Sequence, residues 1–314
     1  MKTYRGNLEI SADDRRDFSD LAEVTGDLRL YEGASLTAPV LAKTGDLRLD
    51  QGASLTAPVL AKTECLCLYQ GASLTVPVLA KTGYLILDQG AVLTAPLLAK
   101  TGDLRLYEGA VLTAPVLAKT GDLWLYQGAS LTAPVLAKTG DLCLYQGASL
   151  TAPALAKTGY LILYEGASLT APVLAEVTEY LSLYEGASLT APVLAKTGDL
   201  ILYEGASLTA PNLIFLPGGV ELTVWKKCWD GVIVKLRIPP EAKRIGRVGY
   251  KCRAEFAEVI EIEGAEIATG TYDPTFVYRV GSVVRAKDFD ETVTTCAPGI
   301  HFFLTRDEAK GYIL

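Results

Sequence analysis

The 314-residue chain has little of what most enzymes and most membrane or secreted proteins are built from. It has one histidine, His301, so catalysis by a pair of histidines is excluded and a histidine-rich metal centre with it. Its six cysteines, Cys65, Cys67, Cys143, Cys228, Cys252 and Cys296, include no Cys-x-x-Cys pair. That spacing is the usual mark of a zinc knuckle or a redox site. Cys65 and Cys67 are two apart, so in an extended strand they point to one face and do not readily bridge. The thiols are read as free, in a reducing, cytoplasmic compartment. No run approaches the roughly 18 apolar residues of a spanning helix. The opening MKTYRGNLEI has neither the apolar core nor the small-residue cleavage site of a secretory signal. Aromatics make up only 8% although half of the residues are apolar. A basic stripe is missing too. The net charge is −7, and thirteen basic residues balance thirteen acidic ones from Lys227 onward, so the whole excess is acidic and lies before that point. Such a chain is not a general nucleic-acid binder, which needs positive charge along its contact face.

What is present is a repeat. GASLTAP or a near copy begins at Gly33, Gly52, Gly71, Gly90, Gly109, Gly128, Gly147, Gly166, Gly186 and Gly205. The interval is 19 residues throughout, except for 20 between Gly166 and Gly186. A period this short and regular means a solenoid, whose units bury a core only by stacking. In the coil from Gly26 to Thr44, Asp27-Leu28-Arg29-Leu30-Tyr31 alternates polar and apolar, as a half-buried strand does. Leu28 and Leu30 are expected inside, with Asp27, Arg29 and Tyr31 outside. Glu32-Gly33 makes a corner. Ala34 to Ala38 is a second strand with Leu36 inside and Ser35 and Thr37 outside. Pro39, which has no N–H to give to a ladder, makes the next corner. Val40-Leu41-Ala42 is expected to return to the core before Lys43-Thr44-Gly45 closes the coil. Nineteen residues with a proline and two glycines leave no window for a helix. Leu28 should lie over Leu47, Leu36 over Leu55 and Leu41 over Leu60, in coils about 4.8 Å apart. Gly6-Asn7-Leu8-Glu9-Ile10 repeats Gly26 to Leu30, and its polar continuation, Ser11 to Asp17, reads as a cap over residues 1–25. Leu213 to Gly219 breaks the period. Val220 to Val224 reads as one more alternating strand, for about twelve rungs in all.

The pattern LTAPVLAKTGDLRL resembles the leucine-rich-type repeats of bacterial surface and phage proteins. It also resembles the right-handed β-helix repeats of receptor L domains. The resemblance covers residues 6 to 224. It implies a fold and no activity. The asparagine ladder of ordinary leucine-rich repeats is missing, and Glu/Gln-Gly stands near its place, which favours a compact β-solenoid over a horseshoe.

The copies are close enough for their differences to stand out. The position between the two strand leucines reads Arg29, Arg48, Cys67, Ile86, Arg105, Trp124, Cys143, Ile162, Ser182 and Ile201. The position before the first leucine holds Asp, but Cys65, Tyr84, Tyr160 and Tyr180 interrupt. The position after the second leucine reads Tyr31, Asp50, Tyr69, Asp88, Tyr107, Tyr126, Tyr145, Tyr164, Tyr184 and Tyr203. Tyr, Trp and Arg dominate protein recognition hot spots. Aromatic and β-branched ladders also stabilise sheets by cross-strand contact, and that plainer reading accounts for Tyr and Ile equally well. The candidate binding face is Arg29, Tyr31, Arg48, Tyr84, Arg105, Tyr107, Trp124, Tyr126, Tyr145, Tyr160, Ile162, Tyr164 and Tyr180. Its expected partner is a protein, with no nucleic acid and no membrane. The even Ser35/Thr37 columns resemble an ice-binding face, although threonine is simply a good outward strand residue. Self-assembly into a homo-oligomer stays open as well.

After Lys226 the period is gone, and Trp225, Trp229, Phe256, Phe276, Phe289, Phe302 and Phe303 supply aromatic core material. Asp230-Gly231 signals a hairpin. Phe256 to Ile262, Val277 to Val284 and Ile300 to Leu304 read as strands. Thr305-Arg306-Asp307-Glu308 is a capping box opening a helix from Arg306 to Tyr312. The expected architecture is therefore mainly β, a capped β-solenoid (1–225) followed by a small α+β domain (226–314). Trp229-Asp230-Gly231, Ile238-Pro239, Tyr250 to Ala254, Tyr278 to Gly281 and Cys296 to Phe303 resemble an uncharacterised domain. That domain follows pentapeptide or leucine-rich repeats in bacterial and phage proteins, and the resemblance implies no activity.

An enzyme would have to be built from little. Cys296 and His301 are the weak candidates for a nucleophile and base. A Pro-Gly turn separates them, and His301 sits in an apolar strand. Cys252, Cys296 and His301 are too few and wrongly spaced for a strong zinc signal. No cofactor and no metal is expected, and a non-catalytic binding or scaffold protein is favoured over an enzyme carried by the solenoid.

Overall fold

The computed structural model describes residues 1–213, 216, 218–246, 251–291 and 297–312. Ile214, Phe215, Pro217, Tyr250 and Cys296, which the sequence reading used, lie outside the described residues. No helix among these residues is long and apolar enough to cross a membrane.

The repeats form a β-solenoid of about 11 turns. The first strand of each coil is three residues, from Leu8–Ile10 through Leu28–Leu30 and Leu47–Leu49 onward. Each pairs in parallel with its counterpart one coil away, Leu28 against Leu47 and Arg29 against Arg48. The second strands, Ser35–Thr37 and its copies, pair in the same way, Leu36 against Leu55. Leu28, Leu30 and Leu41 are fully buried, as are their copies Leu47, Leu49 and Leu60. Leu36 and most of its copies are buried as well, so the core is four leucine columns, each rung a single side chain from each coil. Ala34 and Ala38, both fully buried, fill the corners where nothing larger fits. The cap is as expected in outline, since Leu8–Ile10 pairs with Leu28–Leu30. In addition, Lys2–Tyr4 pairs in parallel with Leu21–Val24.

Two glycine columns make the stack possible for different reasons. Gly33 and its copies turn the corner at φ near +67°, a conformation that a Cβ penalises. Gly102 and its copies close the coil where the preceding coil passes, and a Cβ on Gly102 would sit 2.7 Å from the Gly83 carbonyl oxygen. The 20-residue interval is absorbed at Glu176–Leu183, an eight-residue strand that pairs with Leu161–Leu163. There Val177 lies opposite Thr158, buried in the place of a threonine.

The return segment corrects the sequence reading. Of Val40-Leu41-Ala42 only Leu41 is buried. The valine column faces solvent, with Val59 at 42% and Leu97 at 52% exposure. The inward position is taken instead by Thr44 and its copies, buried in coil after coil. The hydroxyls of Thr44, Thr63, Thr82, Thr101 and Thr158 donate to carbonyls one turn earlier, Thr63 to Gly45 at 2.7 Å and Thr101 to Gly83 at 2.9 Å, whereas Thr120 and Thr139 donate to the carbonyl of the residue that follows.

The second-strand ladder is interrupted once. Six strands, Ser35–Thr37 to Ser130–Thr132, form one sheet, and four, Ser149–Thr151 to Ser207–Thr209, form another. The first-strand sheet runs through the same coil boundary, with Trp124 opposite Cys143.

The C-terminal unit is β-rich with one short helix. Leu222–Lys227, Ile233–Ile238, Phe256–Ile262 and Val283–Arg285 form an antiparallel sheet in that order. Arg244–Ile245, Cys252–Ala254 and Ile300–Phe302 form a second sheet. The expected hairpin is present, its turn made by Trp229–Gly231 with Asp230 at φ 55°. The residues expected as a twelfth rung therefore lead into a strand, Leu222–Lys227, that is antiparallel and pairs within this unit, and the expected boundary at 225 falls inside it. The expected strand Val277 to Val284 is two, Val277–Arg279 and Val283–Arg285, parted by Gly281 at φ 79° and lying in different sheets. Trp229 is 55% exposed and not core, whereas Phe302, Tyr278 and Val234 are buried. The helix Arg306–Gly311 begins with the capping box that the sequence announced, Thr305 and Glu308 each accepting from the other's backbone N–H.

Candidate functional site

The candidate face divides into three columns with different work. The aspartate column is structural. Asp27 Oδ1 accepts the backbone N–H of Asp46 at 3.0 Å, Asp103 that of Asp122 at 3.1 Å and Asp141 that of Tyr160 at 3.0 Å. Each carboxylate thus satisfies an amide of the next coil. The sequence showed the period of these aspartates and not the bond. Tyr160 and Tyr180, which take over the column, meet edge to face with ring centroids 4.6 Å apart. Tyr84 is 55% exposed.

The central column is half-buried for most of its length. Arg48 is exposed, Trp124 and Ile162 are half-buried, and Cys143 and Ser182 are buried. Arg105 lays its guanidinium over the Trp124 ring at 4.5 Å. Burial pushes the Cys143 thiol up to about 11, which leaves it protonated and unreactive at neutral pH.

The tyrosine column is where the geometry concentrates. Tyr107, Tyr126, Tyr145, Tyr164, Tyr184 and Tyr203 stack face to face without a gap, at centroid separations of 4.7, 4.2, 4.7, 5.0 and 4.6 Å. The coil spacing of about 4.8 Å nearly matches ring stacking distance, so a strict repeat with tyrosine at this position stacks without adjustment. Faces are spent on neighbours, and edges and hydroxyls are what a ligand meets. Burial first, and then the Tyr126 hydroxyl beside it, hold the Tyr145 phenol well above its ordinary range, so that phenol stays a neutral donor. Beside the rings runs the Glu/Gln corner column. Tyr107, Tyr126 and Tyr145 with Glu108, Gln127 and Gln146 line an open groove of about 470 Å³ that ends at Asp88 and Gln89.

Toward the N-terminus the column alternates, and Tyr31 is followed by Asp50. Arg29 lies over the Tyr31 ring at 4.6 Å and donates from Nε at 3.0 Å and Nη2 at 2.8 Å to the Asp50 carboxylate. Arg48, one coil on, turns instead to Asp46 at 3.3 Å.

The C-terminal candidates do not assemble into a catalytic pair within the described residues, because Cys296 lies outside them. His301 is held by a contact of 3.0 Å from Nε2 to the Ala297 carbonyl, which can only accept, so the proton sits on Nε2. Burial, with Lys251 and Lys226 nearby, lowers its pKa to about 4, so it is a neutral imidazole at physiological pH. It lines, with Lys226, Lys251 and Tyr272, a cleft of about 30 Å³, room for a water and not for a substrate. Among the described residues no cluster of three or more His, Cys, Asp or Glu could hold a metal.

Residues 212–309 match a family described as a family of unknown function, DUF5758. The chain is 38% identical over 52 residues, 17% of its length, to "Uncharacterized protein L223" of Acanthamoeba polyphaga mimivirus. It spans about a third of that relative's length, 33%. No solved structure matches. The C-terminal resemblance read from the sequence therefore reaches a family without an assigned activity, and the particular leucine-rich family expected for the repeats is not what these comparisons return.

Proposed function

We propose that this chain is a non-catalytic binding protein whose solenoid presents the tyrosine edge to a protein partner, with the C-terminal unit as an attached module. The observation that carries this is the groove along Tyr107, Tyr126 and Tyr145. There an aromatic wall, Glu and Gln side chains able to hydrogen-bond and a volume of about 470 Å³ coincide. Phenol edges give apolar contact and a hydroxyl at little entropic cost, which is why tyrosine is favoured at interfaces. The reading narrows the candidate face from the whole first strand to its corner, because the aspartate column is occupied by backbone amides and much of the central column is covered. A cytoplasmic setting remains part of the proposal, in keeping with Cys65, Cys67, Cys143 and Cys228, which form no disulfide.

The test is a paired substitution, Tyr126→Ser with Tyr145→Ser. Immobilised wild type and variant are compared for capture from an extract of the organism that makes the protein, beside thermal unfolding of each. A captured protein that is lost in the variant, with the leucine ladder still folded, supports the reading. Equal capture by both sinks it.

A further inference from the structure

The solenoid holds one arginine in a way that defines a site, and holds a second copy of that site without the arginine. In the first copy, the Tyr31 ring lies under the Arg29 guanidinium and Asp50, one coil on, takes two of its N–H groups. The residues stand in fixed register: Arg29 is opposite Arg48, and Asp50 follows two positions later. Two coils further, Tyr69 and Asp88 occupy the Tyr31 and Asp50 positions, and Cys67 stands where Arg29 stood, opposite Ile86. Tyr69 is 38% exposed. Asp88 Oδ1 accepts the Gln89 backbone N–H at 2.8 Å, and among the described residues no cation pairs with it. The two arginines that flank the site in the central column are engaged elsewhere: Arg48, opposite Cys67, pairs with Asp46, and Arg105, opposite Ile86, lies over the Trp124 ring.

On its far side Asp88 meets Tyr107, the first ring of the continuous stack, and both line the groove. Every ring from Tyr126 to Tyr184 is covered on both faces by tyrosine, whereas Tyr107 has tyrosine on one side and Asp88 on the other. A carboxylate between two tyrosines, with the internal cation deleted, suits a planar cation. Guanidinium matches best, since it stacks on a ring face and presents paired donors to a carboxylate at the same time.

We infer that the Tyr69–Asp88–Tyr107 site binds an arginine side chain supplied by the partner. The inference rests on the reading of the tyrosine edge as a recognition surface and adds the chemistry of one anchor. The protein itself carries the competitor needed to test it. Cys67→Arg restores the arrangement of the first copy, and the new guanidinium then fills the site from within.

The probe is acetyl-Gly-Arg-Gly-amide, compared with the same tripeptide carrying citrulline, which has the same shape and no charge. Both are titrated against full-length protein while the amide signals of Gln89 and Tyr107 are followed. The arginine peptide is expected to bind at least about fivefold more tightly than the citrulline one, in line with an exposed cation–π and ion-pair contact. Cys67→Arg and, independently, Asp88→Asn are expected to remove that preference. Glu185→Gln, which takes a charge from the same corner in a distant coil, is expected to keep it. Equal binding of the two peptides, or an unchanged preference in both Cys67→Arg and Asp88→Asn, overturns the arginine site. If the captured partner is also retained by Cys67→Arg and lost by the Tyr126/Tyr145 variant, the recognition surface stands and the anchor alone is wrong. If the Tyr126/Tyr145 variant retains it, the surface is wrong too.

Discussion

The solenoid and the C-terminal unit are both β-rich and both nearly helix-free, yet they are stabilised in opposite ways. In the solenoid each leucine meets copies of itself one coil above and below, and the same contact recurs about ten times. In the C-terminal unit every contact is made once. Val224, Leu236, Tyr278 and Phe302 come from different strands of three sheets and share one core. Redundancy makes the solenoid tolerant of change at any one coil, and it frees the outward columns to vary. Uniqueness makes the C-terminal unit brittle, and its polar groups are correspondingly committed.

The comparison is broken most directly by matched truncations. Phe302→Ala, in a fully buried site, is expected to cost about 3–5 kcal/mol and to unfold the C-terminal unit as a whole. Leu106→Ala, equally buried, has a similar intrinsic cost of about 2–5 kcal/mol, but the damage stays in the adjacent coils. Hydrogen exchange reads the difference as global loss of protection from residue 222 onward in the first case and a local window around 87–125 in the second. Protection lost throughout the solenoid in Leu106→Ala would show that the coils are one cooperative unit.

A smaller effect separates the two by pH. The folded pKa of His301, about 4, lies below that of the unfolded chain, about 6.5. Its neutral form is the one the fold holds, so its contribution is complete above pH 6.5 and is lost as pH falls from 6.5 toward 4. The loss is on the order of 3 kcal/mol. The melting of the C-terminal unit should weaken through this window and that of the solenoid should not, and His301→Gln should flatten the dependence. The smallest effect is in the ladder. Tyr145→Leu removes two stacked pairs, each worth about 0.5–1.5 kcal/mol, and keeps most of the apolar area, so a shift of a few degrees in the solenoid transition is expected. No shift would mean that the rings are ornamental to stability and free for recognition.

The period made the coil, the parallel register and the leucine columns legible, because in-or-out alternation over three residues is all that such strands require. Bonds between coils were not. That Asp27 serves the Asp46 amide, or that Arg29 reaches Asp50 twenty-one residues away, depends on stacking distance, which a single coil does not encode. Thr44 was read as turn material because a hydroxyl next to Lys and Gly looks solvated, yet the preceding coil offers it a carbonyl inside. Val40 erred the other way, since its column has no coil beyond the corner to pack against. In the C-terminal unit Gly281 divided what hydrophobicity alone drew as one strand. The candidate site shows the same pattern. The tyrosines were visible as a column, and their face-to-face stacking and the groove beside them were not, because both depend on how the corner turns.

The interruption of the second sheet between Ser130–Thr132 and Ser149–Thr151 has a mechanical meaning. At that boundary one flank of the solenoid carries no ladder, and the tyrosine pair spanning the same boundary, Tyr126 and Tyr145, is the tightest and flattest of the stack at 4.2 Å and 3°. The two rings act as a stitch across a partly open seam. A ligand held in the groove would bridge the same boundary, and its occupancy would then be coupled to the stiffness of the stack.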